Sequence, residues 1–308
     1  MNDPVDRAAA IIERAGGHVK RDLSLAPLTT FRIGGPASLY LEPESEEDLA
    51  AVAEAVADAG IPFVVIGKGS NILVADEGFP GLVLRLGRRF RWAARDGDRL
   101  TAGGAMPLPA LAGVALRHGL TGLEFGVAIP ATLGGAVVMN AGAHAGEMGH
   151  VVDAITVFRM DLARSVTLER AELTFSYRHS GVPKGAVVIG ASLHLAPGED
   201  VAIRSRMEEA KAWRRRTQPL AEPNCGSVFT NPPGDHAARL IEAAGGKALR
   251  VGGAAVSQKH ANFIVANAGA TAADVRALIV RVRELVEAAD GVRLETEVRF
   301  IGGGPGAA

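Results

Sequence analysis

The chain has 308 residues, a single cysteine, and 33 basic against 34 acidic residues, for a formal net charge of −1. One cysteine excludes an internal disulfide framework and a cysteine-based zinc site, and it fits a reducing compartment. The balanced charge does not indicate a nucleic-acid binder, and no apolar run is long enough for a membrane span. We expect a cytoplasmic protein without nucleic-acid, membrane or metal partners, whose unusual feature is its 38 glycines.

Helices and short strands alternate in the first part of the chain. Ser45 and Asp48 have capping-box spacing, which predicts a helix that ends at Gly60. The apolar run 61–67 predicts a buried strand, 81–86 predicts another, and Asp96-Gly97 is typical of a hairpin turn. Further on, the pattern predicts a helix over 108–119 and strands over 151–158 and 186–195.

A domain boundary is expected after Pro197-Gly198, where a charged helix over 199–216 begins. A strand over 261–266, a capped helix from Thr271 to Asp290 and the closing segment VRLETEVRFIG follow. The tail 302–308 is expected to fray. These elements predict an α+β fold with mixed sheets in at least two domains.

Two glycine-rich segments suggest a place where the backbone contacts a phosphate. IGKGSN (66–71) follows a strand, and such a turn can direct backbone N–H groups at a diphosphate. It lacks the dinucleotide fingerprint, because Ile72 stands where a glycine is needed, and Ala248 breaks the only candidate P-loop. A tight structural turn remains the alternative.

The second segment, residues 124–147, is glycine-rich yet apolar, which predicts a buried stretch rich in backbone rather than a solvent-exposed linker. Close approach to a large flat ligand needs such missing side chains. A glycine-lined packing seam is the alternative. Together the two segments suggest a dinucleotide held from two sides.

Seven motifs in register carry a resemblance to a known family over residues 25–302. They are FRIGGPA (31–37), IGKGSN, GLEFGVAIPATLGGAVVMNAGA, FSYRHS (175–180), NCGSVFTNP (224–232), VGGAAVSQKHANFIV (251–265) and ETEVRFIG (295–302). In these motifs the chain resembles the UDP-N-acetylenolpyruvoylglucosamine reductases, flavoenzymes of peptidoglycan synthesis. The short spacing between Arg178 and Val187 resembles the compact form of the family, without its tyrosine-bearing loop.

The resemblance implies a two-subdomain FAD-binding region of the vanillyl-alcohol-oxidase type and a C-terminal α+β substrate-binding domain. We expect FAD subdomains over 1–86 and 87–198 and a substrate domain over 199–308, whose last strand can pack back near the flavin. The implied cofactor is FAD, the co-substrate NADPH, the substrate UDP-N-acetylglucosamine enolpyruvate, and the state a monomer. The expected FAD contacts are Ile66, Gly67, Lys68, Gly69, Ser70, Asn71, Gly126, Ile129, Pro130, Ala131, Thr132, Gly135 and Asn140.

The family's reaction sends hydride from flavin N5 to a vinyl carbon, and charge then develops toward the substrate carboxylate. By resemblance, Arg178 stabilises that charge, Ser227 donates the proton, and Glu297, chosen over Glu295 on the same expected strand face, is the third catalytic residue. By residue type alone, these would be a surface ion-pair arginine, a Gly-Ser turn and an exposed strand carboxylate. Cys225 is a rival proton donor, although a small buried residue is the more common role.

Substrate contacts are expected at Asn231, His260 and Arg299 by the same resemblance. A structural role is equally open for His260, and Arg214, Arg215 and Arg216 form either a diphosphate contact or, as we favour, a solvated helix end. Thr230 stands where the family has a basic residue. Two alternative functions remain: an FAD-dependent alcohol or sugar oxidase on the same cofactor fold, and a sugar-nucleotide-binding protein without catalysis.

Overall fold

The structure, a computed structural model, describes residues 3–144 and 146–303. Of the tail that is expected to fray, residues 304–308 lie outside the described residues. The chain divides into two compact units. Unit 1 comprises Met1–Arg21, Leu39–Lys68 and Gly81–Arg214, and unit 2 comprises Asp22–Ser38, Gly69–Pro80 and Arg215–Ala308.

The bounds of the helices and strands follow in chain order. The α-helices of the described residues are α1 (Pro4–Arg14), α2 (Glu46–Ala59), α3 (Leu108–Arg117), α4 (Leu133–Val138), α5 (Met148–Val151), α6 (Asp200–Thr217), α7 (Ala237–Ala243) and α8 (Ala272–Asp290). The strands are β1 (Lys20–Ser24), β2 (Pro36–Leu41), β3 (Phe63–Val65), β4 (Ile72–Val74), β5 (Phe79–Leu84), β6 (Ala93–Asp96), β7 (Arg99–Gly103), β8 (Leu120–Thr121), β9 (Gly142–Ala143), β10 (Gly146–Glu147), β11 (Val152–Arg159), β12 (Arg164–Glu169), β13 (Ala186–His194), β14 (Ala196–Pro197), β15 (Arg250–Val251), β16 (Ala254–Val256), β17 (Ile264–Ala266) and β18 (Arg299–Ile301).

Unit 1 is built on an antiparallel sheet of order β12-β11-β13-β7-β6. The predicted hairpin at Asp96-Gly97 joins β6 to β7, with Asp96 paired to Arg99. Helix α2 is also confirmed, because Ser45 and Asp48 form the capping box and Gly60 ends the helix at φ 66°. Apolar residues of α1 and α2 pack in one core, and α3 and α4 pack in a second with β11 and β13.

Unit 2 is organised around α8 and a short antiparallel sheet of order β15-β16-β17. Thr271 and Asp274 cap the start of α8 as predicted, and Gly291 at φ 67° ends it. The buried face of α8 has helical spacing, at Val275, Leu278, Ile279, Val282 and Val286. Strand β18 pairs with β4 in parallel, so the sheets are mixed as predicted.

Three expected elements differ in the structure. The strand at 61–67 is confined to Phe63–Val65, and it is not buried: Val65 is 38% exposed because β3 lies at the edge of its sheet. The strand over 261–266 begins only at Ile264, since a turn closed by the Phe263 N–H and the His260 carbonyl precedes it. The closing segment is irregular up to Arg299, so Glu295 and Glu297 do not share a strand face.

The predicted domain borders near residues 86 and 198 stay predictions. Helix α6, expected to open the substrate domain, is grouped with unit 1 as far as Arg214. The reason is packing, because Ile203 and Met207 lie in the core that contains β11 and β13. In the part of the chain that the structure describes, no helix is both long and apolar enough to cross a membrane.

Asp76, in the turn after β4, binds the first turn of α8. Its two carboxylate oxygens accept from the Ala272 and Ala273 N–H groups at 2.7 and 2.9 Å. These donors have no partner inside the helix, and the negative charge also favours the positive end of the helix dipole. Asp76 therefore ties the β4 turn to α8 within unit 2.

We predict that Asp76→Ala lowers the free energy of unfolding by about 1–2 kcal/mol, as for loss of a helix cap. Urea denaturation followed by circular dichroism measures it. Glu77→Ala, which removes the neighbouring exposed carboxylate, is the control and should change the value by less than about 0.5 kcal/mol. Equal effects of the two substitutions would show that the bonds to α8 contribute nothing.

Candidate functional site

The loop at residues 66–71 has backbone N–H groups that are not used as donors inside either unit. The Ile66 N–H donates to the Leu84 carbonyl at 2.8 Å and anchors the start of the loop on β5. Among the hydrogen bonds inside the two units, none uses a backbone N–H of residues 67–71 as its donor. Gly69 has φ 63°, and a Cβ there would lie 2.3 Å from the Leu28 carbonyl oxygen. A loop with such donors can form a backbone cradle for a phosphate.

The second glycine-rich segment approaches this loop within unit 1. A Cβ on Gly67 would lie 2.5 Å from Thr132 Oγ1, so the missing side chain permits the close approach. Thr132 Oγ1 also accepts from the Gly135 N–H at 3.3 Å, which fixes the turn before α4. The residues predicted from the two segments thus lie side by side at Gly67 and Thr132, as a group held from two sides requires.

The second segment is not uniformly buried, which corrects the expectation for residues 124–147. Gly126 is buried, its N–H donates to the Leu123 carbonyl, and a Cβ there would lie 3.0 Å from Leu108. Ile129, Ala131 and Thr132 are half-buried, whereas Pro130 and Gly135 are exposed. The alternation leaves residues 129–132 and 135 accessible to a ligand, while Gly126 acts in packing.

Arg178 lies at the apex of a tight turn in unit 1. The Ser176 and His179 backbones exchange hydrogen bonds of 2.9 and 3.0 Å, which leaves Tyr177 and Arg178 as the two central residues. Arg178 has φ 58°, a conformation that costs a non-glycine residue about 1–2 kcal/mol. Its guanidinium carbon lies 4.9 Å from the centroid of the exposed Tyr177 ring. The turn thus places a positively charged side chain at a strained apex.

Two buried polar side chains hold this turn in place. Asn140, which is 1% exposed, donates from Nδ2 to the Ser176 carbonyl at 3.0 Å and accepts at Oδ1 from the Gly149 N–H at 2.8 Å. Ser180, also buried, donates from Oγ to the Val138 carbonyl at 3.0 Å. Asn140 was expected to contact the cofactor, but both ends of its amide are occupied within the protein. Its observed hydrogen bonds support the Arg178 turn. Sequence reasoning assigned no role to Ser180, the last residue of FSYRHS.

Ser227 lies in an irregular segment of unit 2, and the residues before and after it are held by hydrogen bonds. Before it, Gly226 has φ 80°, and its N–H donates to Asn224 Oδ1 at 2.9 Å. After it, the Val228 and Phe229 N–H groups donate to the carbonyl and side-chain oxygens of Asn262, each at 2.9 Å. Ser227 itself is half-buried, and its backbone neighbours are held on both sides.

Glu297 is joined to the same segment. Its N–H donates to the Val228 carbonyl at 2.8 Å, and its carbonyl accepts from Asn71 Nδ2 at 3.2 Å. The Asn71 carbonyl accepts from the Arg299 N–H at 3.0 Å, where β18 begins beside β4. Asn71, expected to contact the cofactor, thus holds the backbone of Glu297. The structure brings Ser227 and Glu297, two of the three residues predicted to be catalytic, into one hydrogen-bonded backbone arrangement.

Cys225 does not have the environment of an acid that meets substrate. It is 1% exposed and lies in the core of unit 2. Burial, with a smaller contribution from the charge of Glu297, raises the pKa of the thiol well above its usual range. A small buried residue is the role that the geometry supports.

The predicted substrate contacts have observed roles of their own. Asn231 Oδ1 accepts from the Ala237 N–H at 3.1 Å and so binds the start of α7. His260 Nδ1 accepts from the Asn262 N–H at 3.3 Å. Arg299 is exposed on β18, and Thr230 donates from Oγ1 to the Glu295 carbonyl at 3.2 Å.

The three arginines at the end of α6 are not equivalent. Arg215 and Arg216 are exposed, in agreement with a solvated helix end. Arg214 is half-buried and donates to the Ala128 carbonyl, and burial lowers the pKa of its guanidinium. The expectation of a solvated position is therefore wrong for Arg214, because its side chain packs against the protein instead.

The described residues contain no group of three or more His, Cys, Asp or Glu that could hold a metal ion.

Two family models match the chain. Residues 37–167 match an FAD-binding domain, and residues 218–301 match the C-terminal domain of UDP-N-acetylenolpyruvoylglucosamine reductase. The glycine cradle at 66–71 and the loop at 129–135 lie inside the first match and fit a dinucleotide with a diphosphate. The chain is therefore an FAD-containing oxidoreductase, with the predicted FAD-binding region of the vanillyl-alcohol-oxidase type and a C-terminal domain.

Relatives along nearly the whole chain narrow this class. The UDP-N-acetylenolpyruvoylglucosamine reductase of Heliobacterium modesticaldum is 50% identical over 276 residues, 89% of this chain and 88% of its own. That of Symbiobacterium thermophilum, numbered 2, is 45% identical over 99% of both chains. The crystal structure of the enzyme from Thermus caldophilus has a TM-score of 0.81 and 38% identity, covering 93% of this chain and all of that one. The chain belongs to the UDP-N-acetylenolpyruvoylglucosamine reductase family.

We predict a pH effect on stability from His260. Burial, helped by the charge of Lys247 and opposed by that of Glu242, lowers the pKa of His260 below its usual value of about 6.5. The folded state therefore disfavours the proton. Its stabilising contribution is complete above the unfolded pKa and is lost as pH falls through the lower folded pKa.

The measurement is the free energy of unfolding against pH, for the wild type and for His260→Gln. The wild type should lose stability relative to the variant as pH falls below about 6.5, and the difference should be constant above that value. His118→Gln, at an exposed position on α3's C-terminal end, is the control. A difference that does not change with pH would contradict the assignment.

Proposed function

We propose that the protein reduces the enolpyruvyl ether of UDP-N-acetylglucosamine to UDP-N-acetylmuramate with NADPH, in the synthesis of peptidoglycan precursors. It would act as a cytoplasmic monomer. The observation that carries the proposal is the backbone link between the Ser227 segment and Glu297, in a chain of this family. It supplies a hydroxyl and a carboxylate on one rigid support, which an oxidase acting on alcohols or sugars does not need.

FAD, when bound, would supply the hydride-transfer chemistry between NADPH and the terminal carbon of the substrate's double bond. The cradle at 66–71 and the residues at 129–132 and 135 support its binding. They are half-buried or exposed, with the exceptions of Ile66 and Gly69. Gly126 and Asn140 would act on the cofactor only through the segments they pack, since their own groups are engaged within the protein.

Reduction adds a hydride to one carbon and a proton to its neighbour, which bears the carboxylate. Charge on that neighbouring carbon spreads into the carboxylate, so a fixed cation there lowers the barrier. Arg178 is suited to this role, because a guanidinium is permanently charged and binds a carboxylate with two parallel hydrogen bonds. The strained turn presents its side chain on rigid backbone, as transition-state stabilisation requires.

Ser227 would supply the proton. A serine hydroxyl is a weak acid, and it can act only when it is held against a strongly basic carbon. The bonds on either side of Ser227 provide that restraint. Glu297 would orient the hydroxyl or bind the carboxylate. Asn231, His260 and Arg299 are proposed at the sugar nucleotide, with the neutral Nε2–H of His260 as a hydrogen-bond donor.

The reaction has two halves, reduction of the flavin by NADPH and reoxidation of the flavin by the enolpyruvyl substrate. The first test measures each half separately by anaerobic stopped-flow absorbance of the flavin. In Ser227→Ala, NADPH should bleach the flavin at the wild-type rate, whereas reoxidation by the enolpyruvyl substrate should slow by at least about 100-fold. The reason is that only the second half-reaction needs the proton. Cys225→Ser is the matched control and should keep most of both rates, because the buried thiol meets no substrate.

Equal loss in both half-reactions would reject the role of Ser227. A collapse in Cys225→Ser comparable to that of Ser227→Ala would move the proton to the thiol. A wild-type protein whose flavin reacts with oxygen but not with the substrate would be an oxidase. A colourless purified protein that binds sugar nucleotides would have the non-catalytic function.

The second test concerns Arg178. Arg178→Gly removes the charge and also relieves the positive φ, so we expect a stability equal to or higher than the wild type's and reoxidation slowed by about 100-fold or more. Ala163→Gly is the matched control, because Ala163 also has a positive φ of 49° in the turn between β11 and β12. It should relieve strain without slowing either half-reaction. Full activity in Arg178→Gly would exclude a catalytic arginine.

A further inference from the structure

Asn262 is a buried residue whose side-chain amide and backbone carbonyl bind one short backbone segment. It is 4% exposed. Its Oδ1 accepts from the Phe229 N–H at 2.9 Å, and its Nδ2 donates to the Phe229 carbonyl at 2.8 Å. Its own carbonyl accepts from the Val228 N–H at 2.9 Å. The side chain thus pairs with Phe229 as a neighbouring strand would, at a place where the chain has no strand.

The other side of this segment is bonded to Glu297. The Val228 carbonyl accepts from the Glu297 N–H at 2.8 Å and from the Val298 N–H at 3.3 Å. The Val228–Phe229 peptide therefore lies between the Asn262 side chain and Glu297. If the Asn262 amide is lost, the Phe229 N–H and carbonyl lose their partners in a buried place, and the segment must move or stay unsatisfied.

We infer that Asn262 is a positioning residue that fixes the Ser227 hydroxyl relative to the Glu297 carboxylate. The inference rests on the proposed function of Ser227 as proton donor. Proton transfer from a weak acid depends steeply on distance, and a displacement of about 1 Å can cost about 100-fold in rate. Gly226, directly before Ser227, is held by its bond to Asn224 Oδ1, and Asn262 supplies the restraint on the residues that follow Ser227.

Asn262→Asp tests this with almost no change in shape. The ionised carboxylate still accepts from the Phe229 N–H but faces the Phe229 carbonyl without a donor. We expect reoxidation by the enolpyruvyl substrate to slow by about 10- to 100-fold at alkaline pH, while bleaching by NADPH is unchanged. Protonation of the carboxyl restores an O–H donor, so the rate relative to wild type at the same pH should recover as the pH falls.

A double substitution separates positioning from support of the fold. With no hydroxyl to place, Asn262→Asp in the Ser227→Ala background should slow reoxidation by less than about threefold further. Asn267→Asp is the matched control, because Asn267 also donates from Nδ2 to a backbone carbonyl of unit 2, that of Gly253, at 3.0 Å. It should leave both half-reactions intact. If Asn262→Asp does not fold, Asn262→Gln keeps the amide but lengthens the side chain, and the same selective slowing is expected.

Equal slowing of both half-reactions, or an undiminished effect in the Ser227→Ala background, would overturn the positioning role while leaving Ser227 as the donor. A reoxidation rate in Asn262→Asp equal to that of the wild type at alkaline pH would also overturn the positioning role. Unchanged reoxidation in Ser227→Ala alone would instead reject the proposed donor.

Discussion

The Val228 carbonyl joins two segments that are far apart in the chain. It accepts from the N–H groups of Glu297 and Val298. The N–H and the carbonyl of the next residue, Phe229, are paired with the Asn262 side chain. Together with the bonds that Thr230 donates to the Glu295 carbonyl, this link joins the two irregular segments that carry Ser227 and Glu297. A buried peptide must find partners, so the hydrogen bonds that satisfy Val228 and Phe229 also set the register of the two proposed catalytic residues.

The glycine excess has a related physical origin in the loop at residues 66–71. Gly67 is needed for approach to Thr132, and Gly69 for a positive φ beside the Leu28 carbonyl. Removing side chains in this way leaves backbone N–H groups that no acceptor inside either unit uses. Burying such donors away from water without an acceptor costs free energy, and an anionic ligand can supply the acceptor. The same residues that loosen local packing therefore favour binding of a diphosphate.

Local sequence signals predicted α2, α8 and the hairpin at Asp96-Gly97, because caps and turns are determined by residues within a few positions. Local sequence signals gave wrong predictions where the backbone conformation depends on hydrogen bonds to residues distant in the chain. The strand expected at 261–266 is shortened by the turn at His260, and the expected shared face of Glu295 and Glu297 does not exist. The family resemblance named Ser227 and Glu297 but could not reveal Asn262, which lies in a motif noted only for its histidine. No spacing in the sequence indicates which backbone a buried amide will bind.

Arg178 and Ser227 show two ways of fixing a side chain on irregular backbone. At Arg178 the chain accepts a positive φ in a residue with a side chain, and Asn140 and Ser180 hold the surrounding residues. At Ser227 the positive φ falls on Gly226 instead, and the amides of Asn224 and Asn262 hold the neighbours. In both places the restraint comes from side-chain amides or hydroxyls that bond to backbone. A regular strand fixes successive side chains on opposite faces, whereas these bonds allow a single residue to be aimed without that alternation. Irregular backbone held by buried polar side chains is therefore the means by which this fold presents its proposed catalytic groups.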